Sequence, residues 1–206
     1  MTRADIILRV KARMDELNPF TGEELNPSIS LIDSLLDESV TTILSFIPLY
    51  LIHPEEFPVT SLTQTDRTGY VNLPTDFLRL HSFKMAGWET EVTEAITPQH
   101  PKYKLQKNAV TMGGKNKPVV VIKSESGKSY KVLYYYSLED GDTHTVEQSL
   151  YIKNVVPDAT SSTVQDDLVD FIAWQCASDV FLAMEEVNAS NAAKQKLSDL
   201  INIRTY

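Results

Sequence analysis

The hydrophobic period of this 206-residue chain changes twice, and each change commits the backbone to a different kind of element. Over residues 3–17, Ile6, Ile7, Val10, Met14 and Leu17 recur at the three-to-four-residue spacing of one helical stripe. Thr2 and Asp5 supply a cap and a first-turn acid. Residues 18–28, NPFTGEELNPS, read as a loop of turn formers, with Asn26-Pro27 as a helix start. The helix that follows carries Leu31, Ile32, Leu35, Leu36, Val40, Ile43, Leu44 and Ile47, and Pro48 should stop it. From about 59 to 156 the pattern becomes that of strands. VTSLTQT, GYVNL, FLRLHSFKM, PVVVIKS and SYKVLYYYS are short β-branched or aromatic runs between turn residues. Helix returns near 162, with Ser161 or Ser162 as its cap. Leu168, Phe171, Ile172, Trp174, Cys176, Val180, Phe181, Ala183, Met184 and Val187 then load most of its circumference. Asn188 caps a last helix with Ala192, Ala193, Leu197, Leu200 and Ile201 on one stripe.

The expected class is therefore α+β. N- and C-terminal helices (1–58 and 157–206) form a bundle, and residues 59–156 form a β-rich insertion. Within that insertion the run GYVNLPTDFLRLHSFKM (69–85) is interrupted by Pro74-Thr75-Asp76. A proline removes a ladder donor and is confined to edges, ends and bulges. The run is thus read as two strands meeting at a corner, with Pro74 at the second position of the turn. Residues 125–128, ESGK, read as a hairpin turn, residues 97–108 as holding a short helix, and LEDGDTH (138–144) as a polar loop.

Hydrophobic content of 42% and charged content of 23% are those of an ordinary soluble domain. The 19 basic residues read as scattered against 28 acids, and the net charge of −9 argues against an extensive phosphate-binding surface while leaving room for a small local basic patch. One cysteine excludes an internal disulfide. The N-terminal stretch lacks the continuous apolar core of a signal peptide, and IPLYLI (47–52) is too short to span a bilayer. A soluble protein made in a cytoplasm, with no membrane partner, is expected.

The chemical motifs fail one by one. Gly127-Lys128-Ser129 lacks the earlier glycine and following helix of a phosphate loop. The four histidines, at 53, 81, 100 and 144, share no metal-binding spacing, and Asp140, Asp142, His144 and Glu147 lack the order of a calcium loop. Cys176 sits on an apolar helix and reads as core. Tyr134 and Tyr136 alternate to one strand face and Tyr135 to the other. Without basic neighbours they read as a half-buried sheet and not as a base-stacking platform. No catalytic, metal or cofactor-binding residues are assigned, no cofactor is expected, and an enzyme ranks last among the readings.

The layout resembles the head–tail adaptor (connector ring) proteins of tailed bacteriophages, those of short-tailed and crAss-like phages in particular. The resemblance rests on the strand, Leu-Pro-x-Asp, strand element at Val71–Leu80, the Leu-rich helix LIDSLLDESVTTIL (31–44), the polar peg AITPQHPKYKLQKN (95–108) before GGKNKPVVVI, and a long C-terminal helix with Ala173, Ala177 and Ala183. It implies a structural virion protein made in the host cytoplasm: a homo-oligomeric ring, usually twelve-fold, at the head–tail junction. Its implied partners are further copies of itself, the portal protein, adjacent tail or ring proteins, and double-stranded DNA that passes through the lumen without sequence-specific binding.

Four regions are candidate ring interfaces under that resemblance. The corner contributes Leu73, Pro74, Asp76, Phe77 and Arg79, and the peg contributes Tyr103. The helix at 163–187 contributes Trp174 and Phe181, because a helix apolar all round calls for cover that a neighbouring subunit could supply, and the exposed C-terminal segment IRTY (203–206) contributes Arg204 and Tyr206 as a contact to the portal or the next ring. The acidic balance suits a channel that must not grip a phosphate backbone. Rival readings are another tail or head-completion component, and a cytosolic protein-binding module unrelated to phage.

Overall fold

Among the described residues, five α-helices and seven strands make a mixed α+β protein. The structure, a computed structural model, describes residues 1–17, 28–59, 62–65, 67–106, 108, 111, 113–139, 141, 144–158 and 164–204. The chain divides into two compact units, one of residues 1–53 and 154–206 and one of residues 54–153. These limits fall a few residues before the expected 58/59 and 156/157, because Glu55–Glu56 is a strand and Phe57 is fully buried in the β core.

The first unit is helical. α1 (Arg3–Leu17) buries the five residues of the expected stripe, and Thr2 and Asp5 exchange reciprocal hydrogen bonds at its start. α2 (Ile29–Phe46) is capped by Ser28, whose hydroxyl accepts from the Leu31 N–H. The expected Asn26-Pro27 start lies outside the described residues, as do Ser161 and Ser162. Instead, a short 3-10 turn (Asp166–Leu168) leads into α4 (Val169–Ala183), which is followed by α5 (Val187–Arg204).

α4 ends at Ala183 and does not run on to 187. Glu185 stands at φ 63°, the Glu186 N–H donates to Phe181 O at 2.8 Å, and the Glu185 N–H donates to Leu182 O at 3.1 Å. Those two bonds define a Schellman stop, normally made by glycine. Asn188 therefore lies inside α5 and does not cap it. α4 packs on α1, α2 and α5, and these bury ten of its residues, Trp174 and Phe181 among them. Ala189, Ser190 and Ala193 let α5 come close, and Ser190 Oγ lies 3.0 Å from Ser178 Oγ.

The second unit holds two antiparallel sheets. One has the order β1 (Glu55–Glu56), β7 (Val146–Lys153), β4 (Phe77–Met85). The other runs β2 (Leu62–Thr65), β3 (Thr68–Asn72), β6 (Lys131–Tyr136), β5 (Val119–Ser124), with α3 (Pro101–Leu105) against β5. Phe57, Val71, Leu73, Phe77, Leu80, Phe83, Leu133, Tyr135 and Tyr151 share one core between the sheets, with Phe83 stacked 6.2 Å from Tyr135.

The LPTDF corner is where the chain changes sheets, from β3 to β4. The Leu73 N–H makes the last bond to β6, donating to Lys131 O at 2.9 Å. The Phe77 N–H then closes a turn onto Pro74 O at 3.1 Å. Pro74 thus occupies the first position of the turn, not the second, and its missing N–H falls where neither sheet needs a donor. The β5–β6 hairpin turns through Gly127 at φ 82°, so the Gly-Lys-Ser string is strand-flanked loop. β1 and β7 were not foreseen. In β7 the buried positions are Ser149, Tyr151 and Ile152, and a buried serine together with two adjacent buried residues breaks the alternation.

Candidate functional site

The outward face of the four-stranded sheet carries a chain of alternating rings and ammonium groups. Pairing sets Tyr70 of β3 directly opposite Tyr134 of β6, and their ring centroids lie 5.5 Å apart. Two residues along, Tyr136 meets Tyr103 of α3 edge-on at 5.9 Å. Lys123, outward on β5, places its ammonium 4.6 Å from the centroids of both Tyr103 and Tyr134, and donates to the Tyr103 hydroxyl at 2.7 Å. From the hairpin turn, Lys128 lies 5.8 Å from the Tyr70 ring and 5.4 Å from the Tyr130 ring. All five tyrosines and both lysines are half-buried, so each keeps an accessible edge or face.

Glu125 is the acid within this array. It accepts from Lys128 at 2.6 Å and from the Tyr134 hydroxyl. The Lys128 bond, with that of Tyr134, holds the Glu125 carboxyl below its ordinary range. Conversely, the Glu125 bond and then burial push the Tyr134 hydroxyl up to about 12. Burial, then the bond with Tyr103, pushes Tyr136 up as well. The rings therefore stay neutral, and Lys123 and Lys128 carry the face's positive charge.

The expectation that these tyrosines lack basic neighbours is overturned. Lysines are not scattered in the second unit: residues 102–131 hold eight lysines against Glu125 alone, a local charge of +7 in a chain of −9. Lys102 and Lys104 are exposed on α3 beside Tyr103. Next to α3 opens a cleft of about 750 Å³, lined by His100, Lys102, Lys117 and Val120 together with Glu91 and Glu94. By unit, the helical part has seven basic and sixteen acidic residues, and the β part twelve of each. All of the net negative charge therefore resides in the helical unit.

The interface residues expected from sequence fall into two groups. Leu73, Phe77, Trp174 and Phe181 are 3%, 8%, 6% and 0% exposed, so the chain's own cores occupy their surfaces. In particular, α4 is covered by its own unit and does not need a neighbour for burial. Pro74, Asp76, Arg79 and Tyr103 remain partly accessible. Asp76 accepts from the Tyr151 hydroxyl at 3.2 Å and lies 3.6 Å from Lys153 Nζ. Burial pushes the Arg79 guanidinium down from its ordinary value. Arg204 donates to Asp167 O at 2.9 Å and lies 5.1 Å over the Phe171 ring, while its neighbour Ile203 is 73% exposed. Tyr206 lies outside the described residues. Of the nine that are described, Tyr103 alone belongs to the ring-and-ammonium array; Tyr70, Lys123, Lys128 and Tyr130 were missed. The alternation of VVVIKS, which sends Val119, Val121 and Lys123 to one face, was the signal that could have found Lys123.

The remaining weighed residues have structural surroundings. Cys176 is fully buried and burial pushes its thiol up to about 12. His144 lies 2.8 Å from the Tyr135 hydroxyl, and Glu147 pairs with Lys84 at 2.9 Å; Asp140 and Asp142 lie outside the described residues. Among the described residues no group of three or more His, Cys, Asp or Glu is placed to hold a metal ion, and no helix is long and apolar enough to cross a membrane. No protein-family model matches the chain, and no curated protein matches it in sequence.

Proposed function

We propose that this chain is a structural assembly protein of the virion, a head–tail adaptor subunit whose terminal helices form the body of a ring and whose residues 54–153 reach its neighbours. The observation that carries the reading is the division of the chain: both termini contribute to one helical unit, and a β unit spans the sequence between them. That organisation suits the resemblance to adaptor proteins drawn from the strand, Leu-Pro-x-Asp, strand element and the Leu-rich helix. Charge adds support. The helical unit holds the whole net charge of −9, and an acidic ring body would let a DNA backbone pass without releasing counterions to bind it. In this reading the partners are further copies of the chain in a twelve-membered ring, the portal protein, and adjoining tail or ring proteins.

The test is assembly with the portal. Native mass spectrometry and negative-stain microscopy of the purified chain mixed with portal should show a closed ring stacked on the portal. A chain that stays monomeric in that mixture at every concentration overturns the reading.

A further inference from the structure

We infer that the outward face of the β2-β3-β6-β5 sheet binds single-stranded nucleic acid, with bases stacked on Tyr70 and Tyr134 and phosphates held by Lys123, Lys128 and the α3 lysines. The inference stands independently of the adaptor reading. Three observations lead to it. The two rings rise from the two central strands of a four-stranded antiparallel sheet, and their 5.5 Å spacing offers adjacent platforms for successive bases. The segment that supplies this face is basic, +7 over residues 102–131 against −16 for the rest of the chain, and four of its lysines stand at the face or beside it: Lys123 and Lys128 on the rings, and Lys102 and Lys104 exposed on α3. At physiological salt the screening length is about 8 Å, so a strand on this face is governed by the charges within that reach, the lysines of the array and Glu125 among them.

The third observation is the arrangement of the ammonium groups. Lys123 and Lys128 rest over ring faces and are also held by neutral or single-acid partners, the Tyr103 hydroxyl for Lys123 and Glu125 for Lys128. A phosphate is a stronger partner for an ammonium than a ring is, so a nucleic acid would draw the lysines to the rim and free the ring faces for bases. Glu125 would keep one hydrogen bond to the Tyr134 hydroxyl and hold that ring in place. A duplex already buries its base faces in its own stack, so the array selects an unpaired strand. An acidic protein segment would use the lysines but gain nothing from the rings, which separates it from the proposed ligand.

Fluorescence anisotropy of the full chain with a labelled oligo-dT strand tests this, with circular dichroism confirming that each variant is folded. Four lysine–phosphate contacts predict a slope of log K against log salt of about −2.8, falling in magnitude by about 1.4 in the Lys123→Ala/Lys128→Ala variant. Tyr70→Ala and Tyr134→Ala should each weaken binding roughly tenfold, while Tyr70→Phe and Tyr134→Phe retain it. A duplex of the same sequence should bind at least about tenfold less well. Absence of binding at low salt overturns the inference. So does equal affinity for duplex and single strand, or full competition by poly-glutamate with the Tyr→Ala variants unaffected, which would assign the face to an acidic protein.

Discussion

The Phe77 N–H donates to the Pro74 carbonyl across 3.1 Å, and this one turn carries the chain from a four-stranded sheet into a three-stranded one. Pro74 sits where no N–H is required, so its contribution lies in restricting the unfolded chain. Pro74→Ala should cost about 0.4–1 kcal/mol with native spectra retained. Denaturant midpoints at unchanged slope check it, and a loss of several kcal/mol would mean that the proline ring contributes packing and not only chain restriction.

Glu185 holds a left-handed conformation at φ 63° that costs a side-chain-bearing residue about 1–2 kcal/mol and glycine nothing. Glu185→Gly should therefore raise stability by about 1 kcal/mol, after the extra entropy glycine loses on folding. Thermal melts of the two proteins decide it. A lowered melting temperature would show that the stop between α4 and α5 is set by something other than the Glu186–Phe181 bond.

Arg3 joins the start of α1 to α2. It donates to Asp33 Oδ1 at 2.6 Å, Asp37 Oδ1 at 2.5 Å, Asp33 O at 2.7 Å and Pro157 O at 3.1 Å, with its side chain 19% exposed. Arg3→Met keeps the aliphatic stem and removes every donor. The two aspartates are about half exposed, so water takes over part of the loss, and about 1–3 kcal/mol is expected. Added salt should narrow the gap between the two proteins only in part, because the carbonyl bonds are not screened as the ion pairs are.

Three tyrosines predict an alkaline limit. Burial pushes Tyr135 and Tyr151 up to about 12, and the Glu125 bond does the same for Tyr134. A hydroxyl whose pKa is higher in the folded state contributes stability that is intact below its unfolded value of 10 and is lost as pH rises toward the folded value. Melting temperature should hold up to pH 10 and fall between 10 and about 12, with tyrosinate absorbance appearing alongside unfolding. Tyr135→Phe, which keeps the ring stacked on Phe83, should blunt that fall. An unchanged alkaline profile in the variant would count against Tyr135 as a contributor.

The helical elements were legible wherever one stripe faced a core. α1 has the expected bounds because Ile6, Ile7, Val10, Met14 and Leu17 all point one way, although Leu8 is 66% exposed. The end of α4 was not legible, since Glu185-Glu186-Val187 contains none of the residues that usually stop a helix, and the stop is made by backbone bonds. In the β unit, Pro74 and Gly127 marked strand ends through their backbone chemistry. The sharing of strands between two sheets was hidden, because neighbours in sequence, β3 and β4, do not pair. β4 also slips register at three places along β7, which buries Ser82 and Phe83 side by side and breaks the period of two. The ring-and-ammonium array was half visible. Tyr134 and Tyr136 declared a face, but Tyr70, Lys123 and Lys128 join it only through strand pairing and the hairpin turn.

The pairing of β1 with β7 has a consequence for the history and handling of this chain. Glu55 lies opposite Tyr151, so the points where the backbone begins and completes the β unit are clasped side by side. Seen from the helical residues, the hundred residues from Pro54 to Lys153 close like a short connection, with little of the entropy cost that a flexible loop of that length would carry. Such a segment is a natural cassette: it can be excised and replaced by a few glycines and serines, or transplanted whole, and new termini can be opened within it, as in circular permutation, without separating the two halves of the helical core.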